Sequence, residues 1–333
     1  MKKFLSVAVL ALVAVCGTAA SAQKTSGLQG KEAPAFSATS YVLNAPADNC
    51  HTLDDCKGDV ILIKLWGVNC GPCIRSMPEV NALWGKYGGK GLHVFMLERQ
   101  SGTDDKIRQI YAPGYKMPQV KEGNFPYPGA GSIPYAYVIG VDGTVIYEGH
   151  SGYVSVIDEE VKKIKYMGLG KPDVAKGVEK AAQAFVDKQY AKAIEEANKV
   201  IEKNSSEAAV TDAKFVIDRC NAMGQKLRQA ADAAKAEKRY LDAFTALETL
   251  ANGFKGTELG DTAAAEIKEL KKDKEVKREV DAANNLAKVI DGLKTVKTKA
   301  DKVKTLRDFA KKNDGTRAAQ DASAKADEIE SAE

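Results

Sequence analysis

The sequence predicts an α/β domain, with a mixed central sheet and helices on both faces, followed by an all-α helical-repeat or bundle domain. Three observations carry this. Asp59 to Trp66 is a short, nearly continuous apolar run, and a helix-spaced pattern follows it almost at once. All ten prolines lie at or before Pro172, and both tryptophans, Trp66 and Trp84, lie in the first half. Beyond Pro172 the chain becomes rich in Ala, Lys and Glu with helical periodicity. Gly168 and Gly170 act as breakers in the stretch MGLGKP. The expected organisation is a leader over residues 1–22, an α/β domain over 23–167 and a helical domain over 168–333.

The leader reads MKKFLSVAVLALVAVCGTAASAQ. Lys2 and Lys3 precede an apolar run from Phe4 to Val15, and Ala20-Ser21-Ala22 offers small residues for cleavage before Gln23. That run is too short to span a bilayer, which takes roughly 20 residues. Lipidation at Cys16 is disfavoured by the bulk of Val15. Export to the periplasm or another extracytoplasmic compartment is expected.

The elements of the first half follow from pattern. Asp59–Trp66 reads as a strand buried on both faces. Cys73 to Tyr87 is a helix, with Ile74, Met77, Val80, Leu83, Trp84 and Tyr87 at helical spacing. Gly91–Leu97 is a second strand, and Asp104–Tyr111 a second helix. Tyr135–Ile139 and Thr144–Tyr147 flank Val141-Asp142-Gly143 as a hairpin. Val154–Tyr166 closes the domain as a helix. The segment YAPGYKMPQVKEGNFPYPGAGS, from Tyr111 to Ser132, reads as a loop at the rim of a site. Its tyrosines, Tyr111, Tyr115 and Tyr127, are expected to pack.

The second half contains an echo. Lys188-Gln-Tyr-Ala-Lys-Ala-Ile194 resembles Lys238-Arg-Tyr-Leu-Asp-Ala-Phe244, and a weaker copy runs from Lys299 through Asp314-Gly315-Thr316 to Ala322. Helix pairs repeated this way bury their apolar faces on one another. They resemble tetratricopeptide repeats, although the spacing of about 50 residues exceeds the usual 34. A plain helical bundle is the alternative.

Hydrophobic residues make up 44% of the 333, charged residues 28%, and the formal net charge is +4. No basic run is interleaved with aromatics, so nucleic acid is not an expected partner. After the leader the cysteines are Cys50, Cys56, Cys70, Cys73 and Cys220. Outside the cytoplasm, close pairs are disulfides or exchange catalysts. Cys70 follows a buried strand through a short turn and opens a helix. There the unpaired N–H groups favour an anion and lower the thiol pKa. Gly71 lets the turn close, and Pro72 suits a first helical turn. Cys73, one turn on, is deeper. The pattern assigns Cys70 as attacking thiolate and Cys73 as resolving thiol.

The frame CKGDVILIKLWGVNCGPCIRSMPEV resembles the thioredoxin superfamily, and in particular its exported TlpA/ResA-type branch, over roughly residues 30–166. Trp66 before the motif, Met77-Pro78 after it and Ile133-Pro134 before a strand carry the likeness. The resemblance implies a thioredoxin-like fold and thiol–disulfide exchange. It also implies a cis Pro134 that presents backbone to substrate, with Ile133 as its specificity-tuning neighbour. It implies protein thiols and disulfides as substrates and a membrane thiol donor. Two positions depart from the pattern. Asn69 stands where an aromatic is usual. Lys64 stands where the branch often has Asp or Asn. An ammonium at Lys64 would favour the Cys73 thiolate, be strongly shifted by burial, or snorkel to solvent.

Cys50 and Cys56 are read as a structural disulfide closing a small loop, with a secondary redox pair as the alternative. A zinc set joining Cys50, His51 and Cys56 to Cys70 and Cys73 is disfavoured, because a helix start after a buried strand suits exchange better. No metal and no cofactor beyond the Cys70–Cys73 pair is expected. Cys220 reads as a buried free thiol. His93 and His150 have no evident partner in sequence, so no Cys–His hydrolase is supported. The leading reading is an exported thiol–disulfide oxidoreductase acting as reductant, whose helical half binds a protein partner. The alternatives are an interaction scaffold with an accessory redox domain and a metal-binding chaperone using Cys70 and Cys73.

Overall fold

The computed structural model describes residues 25–46, 50–203 and 206–331. The expected leader, with Cys16 and the expected cleavage site at Ala20–Ala22, lies outside the described residues. In the first half the order is β1 (Ser37–Leu43), α1 (Leu53–Cys56), β2 (Val60–Trp66), α2 (Gly71–Tyr87), β3 (Leu92–Glu98), α3 (Asp104–Tyr111), β4 (Gln119–Asn124), β5 (Tyr135–Ile139), β6 (Val145–Gly149) and α4 (Tyr153–Glu160). The strands form one mixed sheet in the order β1-β4-β3-β2-β5-β6.

β2 lies inside the sheet, parallel to β3 and antiparallel to β5, with all seven residues buried. That burial explains its unbroken apolar run: both faces are covered. Val60, Leu62 and Trp66 face a core shared with Cys70, Cys73, Met77 and Val80 of the α2 region, Ile107 and Tyr111 of α3, and Tyr153 and Ile157 of α4. Ile61, Ile63 and Leu65 face a second core with Phe36, Phe95, Tyr127, Tyr137 and the Cys50–Cys56 loop. The helices are unevenly shared. The first face carries α2, α3 and α4. The second carries only the single turn α1, and the aromatic segment around Phe125 and Tyr127 completes it.

Two boundaries differ from the sequence reading. The 111–132 segment is not all loop: Gln119–Asn124 forms β4, which pairs with β1 and touches β3 at Met96–Gln119. Its sequence, QVKEGN, has four exposed residues and no apolar alternation, so backbone pairing defines it. The closing helix ends at Glu160 and continues only as a 3₁₀ turn over Val161–Lys163.

The second half is helical: α5 (Glu179–Val186), α6 (Tyr190–Lys203), α7 (Glu207–Ala236), α8 (Tyr240–Gly253), α9 (Glu258–Leu270), α10 (Lys274–Gly292), α11 (Lys299–Lys312) and α12 (Arg317–Ser331). The echo has a local structural basis. Lys188 and Lys238 both adopt positive φ, 58° and 57°. Each follows a helix end closed by the same bond, Gln189 N–H to Ala184 O and Arg239 N–H to Ala234 O. This is the left-handed turn that terminates a helix, and each time a tyrosine then opens the next one. Later, Gly256 and Gly315 share a φ near 80° before Thr257 and Thr316. Both hydroxyls accept an N–H in the following turn, from Gly260 and Ala319. One core joins α5 to α9, with Cys220 buried in it, and a second joins α10, α11 and α12. Burial pushes the Cys220 thiol up to about 12, so it stays protonated.

The halves touch at the start of the helical part. Asp59 accepts the Gly168 N–H at 3.0 Å, and Arg219 of α7 donates to Gly168 O at 3.0 Å. Lys226, also of α7, pairs with Asp55 at 3.0 Å.

Candidate active site

Cys70 is the N-cap of α2. Its backbone is extended and its Sγ accepts the Cys73 N–H at 3.2 Å. An orphan donor of the helix start therefore points at sulfur, in the setting that stabilises a thiolate there. Cys70 and Cys73 are joined as a disulfide. Cys70 is 8% exposed and Cys73 only 1%, so an incoming group meets Cys70 first. Gly71 and Pro72 are exposed in the first turn. Pro78 lies inside α2, where it removes one helical donor.

The turn before Cys70 is fixed from β3 and its following loop. The Glu98 carboxylate accepts the N–H groups of Val68, Gln100 and Gly102 at 3.1, 2.9 and 2.9 Å. Gln100 Oε1 accepts the Asn69 N–H at 2.9 Å. A Cβ at Gly67 would lie 2.3 Å from Gln100 Oε1, so a side chain there would displace the amide group that holds Asn69. Asn69 itself is exposed beside the motif. Sequence reasoning did not find Glu98 or Gln100, because they lie about 30 residues from the turn amides of Val68 and Asn69 that they hold. Trp66 is fully buried, and its indole N–H donates to Gln119 at 2.9 Å.

The Ile133–Pro134 bond is cis. Ile133 packs on the core containing Cys70 and Cys73, so the fold brings together two motifs 60 residues apart. The Pro134 carbonyl accepts from His150 Nδ1 at 2.6 Å, and the His150 ring meets Tyr135 edge-on at 5.0 Å. His150 thus has a partner that sequence did not reveal. So does His93, whose Nε2 is 2.8 Å from Asp59.

Lys64 does not reach solvent. It is 1% exposed in the centre of β2, between Met96 and Ala136. It lies on the α2 face, with Nζ 4.3 Å from the Tyr153 ring centroid and no hydrogen-bond partner among the described residues. Burial pushes its pKa down to about 8, partly offset by the attraction of Glu79. The snorkelling alternative is thereby excluded.

On the opposite face, Cys50 and Cys56 form a second disulfide. Among the described residues, Cys50, Cys56 and His93 are the cluster whose ligand atoms could converge on a metal, all within 4.8 Å of one another. The cluster does not include Cys70 or Cys73.

A dithiol/disulfide at a helix start, on a mixed sheet beside a cis-proline loop, defines a thiol–disulfide oxidoreductase of thioredoxin-like fold. No family model matches the chain. Curated relatives do. The thiol-disulfide oxidoreductase ResA of Bacillus thuringiensis (strain Al Hakam) and that of Bacillus anthracis are each 30% identical over 141 residues, covering 40% of this chain and 72% of the relative. The chain belongs to the ResA family of thiol-disulfide oxidoreductases. Similar solved structures include the thioredoxin domain of a thiol-disulfide oxidoreductase from Bacteroides vulgatus, at 14% identity, TM-score 0.31, and 41% and 98% coverage of this chain and that one. Another is a thioredoxin-family thiol:disulfide interchange protein from Chlorobium tepidum TLS, at 16% identity, TM-score 0.32, and 39% and 95% coverage. The family assignment rests on the ResA relatives.

Proposed function

We propose that this protein is an extracytoplasmic reductant of protein disulfides, with Cys70 as nucleophile and Cys73 as resolving thiol. The observation that carries this reading is the exposure difference between two sulfurs at one helix start. In the reduced enzyme, the Cys70 thiolate attacks a substrate disulfide R–S–S–R′. A Cys70–S–S–R bond forms and R′–S⁻ leaves. Cys73, losing its proton, then attacks Cys70 Sγ and expels R–S⁻. The products are a reduced substrate and the Cys70–Cys73 disulfide. A membrane thiol donor returns two electrons to that disulfide, and no further cofactor takes part.

Lys64 is the group proposed to take the Cys73 proton. As a neutral amine it is a base on the α2 face of β2, where burial leaves it uncharged more readily than an exposed lysine. Ile133 and the Pro134 backbone are proposed to receive the substrate strand, and exposed Asn69 to tune partner choice. The helical half is proposed to bind a protein partner. The leader supports export, and no helix among the described residues is long and apolar enough to cross a membrane.

Trapping tests the reading. Cys73→Ala should accumulate a mixed disulfide on Cys70 that mass spectrometry identifies. Absence of that adduct, together with no dithiol-dependent insulin reduction by the native protein, would reject it.

A further inference from the structure

The second cysteine pair is built unlike a simple staple. Cys50 and Cys56 are 3% and 0% exposed, with Cα atoms 5.5 Å apart. A ring nitrogen of His93, from β3, lies within 4.8 Å of both sulfurs. The imidazole is oriented by Asp59, which is 1% exposed and bonded to Nε2 at 2.8 Å. Asp59 is itself fixed by the Gly168 N–H. A carboxylate on one ring nitrogen orients an imidazole whose other nitrogen binds metal, and Asp59 on Nε2 is placed for that role.

We propose that Cys50, Cys56 and His93 form a redox-gated zinc site. While the disulfide is closed, the sulfurs bind each other and the site has no thiolate to offer. An external dithiol opens it: the dithiol is oxidised to its own disulfide, and its two electrons and two protons pass to Cys50 and Cys56. Zn²⁺ then replaces both thiol protons. It is held by two thiolates and by His93, with Asp59 retained on Nε2 and water in the fourth position. The ligand types and number match a three-ligand zinc site. Zn–S near 2.3 Å and Zn–N near 2.0 Å put tetrahedral ligand atoms roughly 3.5 Å apart. Opening the disulfide lets the sulfurs separate toward that distance, and the His93 nitrogen already lies within 4.8 Å of both. The dication offsets the charge of two buried thiolates beside a buried carboxylate.

The site also lies where the helical half grips the first. Asp55, next to Cys56 in the same loop, pairs with Lys226, and its carbonyl faces Arg219 at 3.5 Å. Asp59 connects His93 to the linker at Gly168. Metal binding would therefore brace the loop that the helical half contacts.

The test uses the full chain carrying Cys70→Ser and Cys73→Ser, so that only the second pair can supply a close dithiol. Co²⁺ serves as the spectroscopic probe, and competition against a chromophoric chelator measures Zn²⁺ affinity. After anaerobic reduction, one equivalent of Co²⁺ should give a sulfur-to-cobalt charge-transfer band, and Zn²⁺ should displace it. The oxidised protein should give no band. Asp59→Asn should weaken Zn²⁺ binding about 10- to 100-fold, and His93→Gln should weaken it at least as much. Because His93→Gln sits in the sheet, circular dichroism and the less disruptive Asp59→Asn keep the result interpretable. No band in reduced protein that remains folded would overturn the proposal. So would Zn²⁺ affinity unchanged in both His93→Gln and Asp59→Asn.

Discussion

The two cysteine pairs share a bond type and differ in nearly everything around it. Cys70 and Cys73 begin a 17-residue helix, and one sulfur takes a backbone N–H of that helix. Cys50 and Cys56 bracket a single turn, capped by Thr52, on the other face of the sheet. The first pair has a long helix behind it, whose dipole favours a thiolate, and a partly accessible sulfur. The second has no such helix and is the less exposed of the two. It has instead a histidine–aspartate pair and the grip of α7. Position in the fold, more than spacing along the chain, distinguishes the two pairs.

The largest expected effect breaks the comparison outright. Cys70→Ser should lower insulin-reduction rate by at least about 10³-fold, since every other cysteine among the described residues is less exposed than the proposed nucleophile. Cys50→Ser should leave that rate within a few-fold. Equal losses in the two variants would show that the pairs work as one relay.

Lys64 gives the next effect. Its amine has a lower pKa folded than unfolded, so the unfolded chain binds more protons between about pH 8 and the ordinary lysine value of 10.5. Below that window both states are charged and the cost of burying the ammonium is fully present. Above it both are neutral and the cost is gone. Lys64→Met should therefore stabilise the protein by up to about 3 kcal/mol at pH 7. The gain should shrink steadily as pH rises through 8 to 10.5, measured by denaturant unfolding across pH. The same variant should slow resolution by Cys73 of the mixed disulfide on Cys70. A gain independent of pH would assign the effect to packing alone.

Opening the second pair should cost less. Cys50→Ala with Cys56→Ala removes a crosslink across six positions and should destabilise by about 2 kcal/mol. Smallest is Lys226→Ala, which removes a partly exposed ion pair and should cost under about 1 kcal/mol. That variant sharpens the contrast if it perturbs amide exchange in the Cys50–Cys56 loop and leaves exchange around Cys70 unchanged.

Several parts of the molecule were legible in sequence because their cause is local. Val60–Trp66 announced itself by an unbroken apolar run, and α2 by apolar residues every third or fourth position. The repeated Lys-x-Tyr stretches turned out to share a left-handed lysine and the same helix-ending bond. β4 stayed hidden because a polar strand is recognised only by the strand it pairs with. The site divides the same way. Cys70 and Cys73 stood out through their spacing. Glu98, Gln100, Gln119 and His150 did not, since each acts on a group 16 to 53 residues away.

By itself the sequence determined the class of fold, the order of its main elements and the motif at the head of α2. Those follow from periodicity and from residue types with strong backbone preferences, which act over a few neighbours. Only the tertiary structure decided that Lys64 is sealed beneath α2, that Ile133 joins the core of Cys70 and Cys73, and that His93 and Asp59 stand against Cys50 and Cys56. Burial and juxtaposition depend on how strands cross and which face each residue takes. Those are settled by packing the whole sheet, and no single stretch of chain carries them.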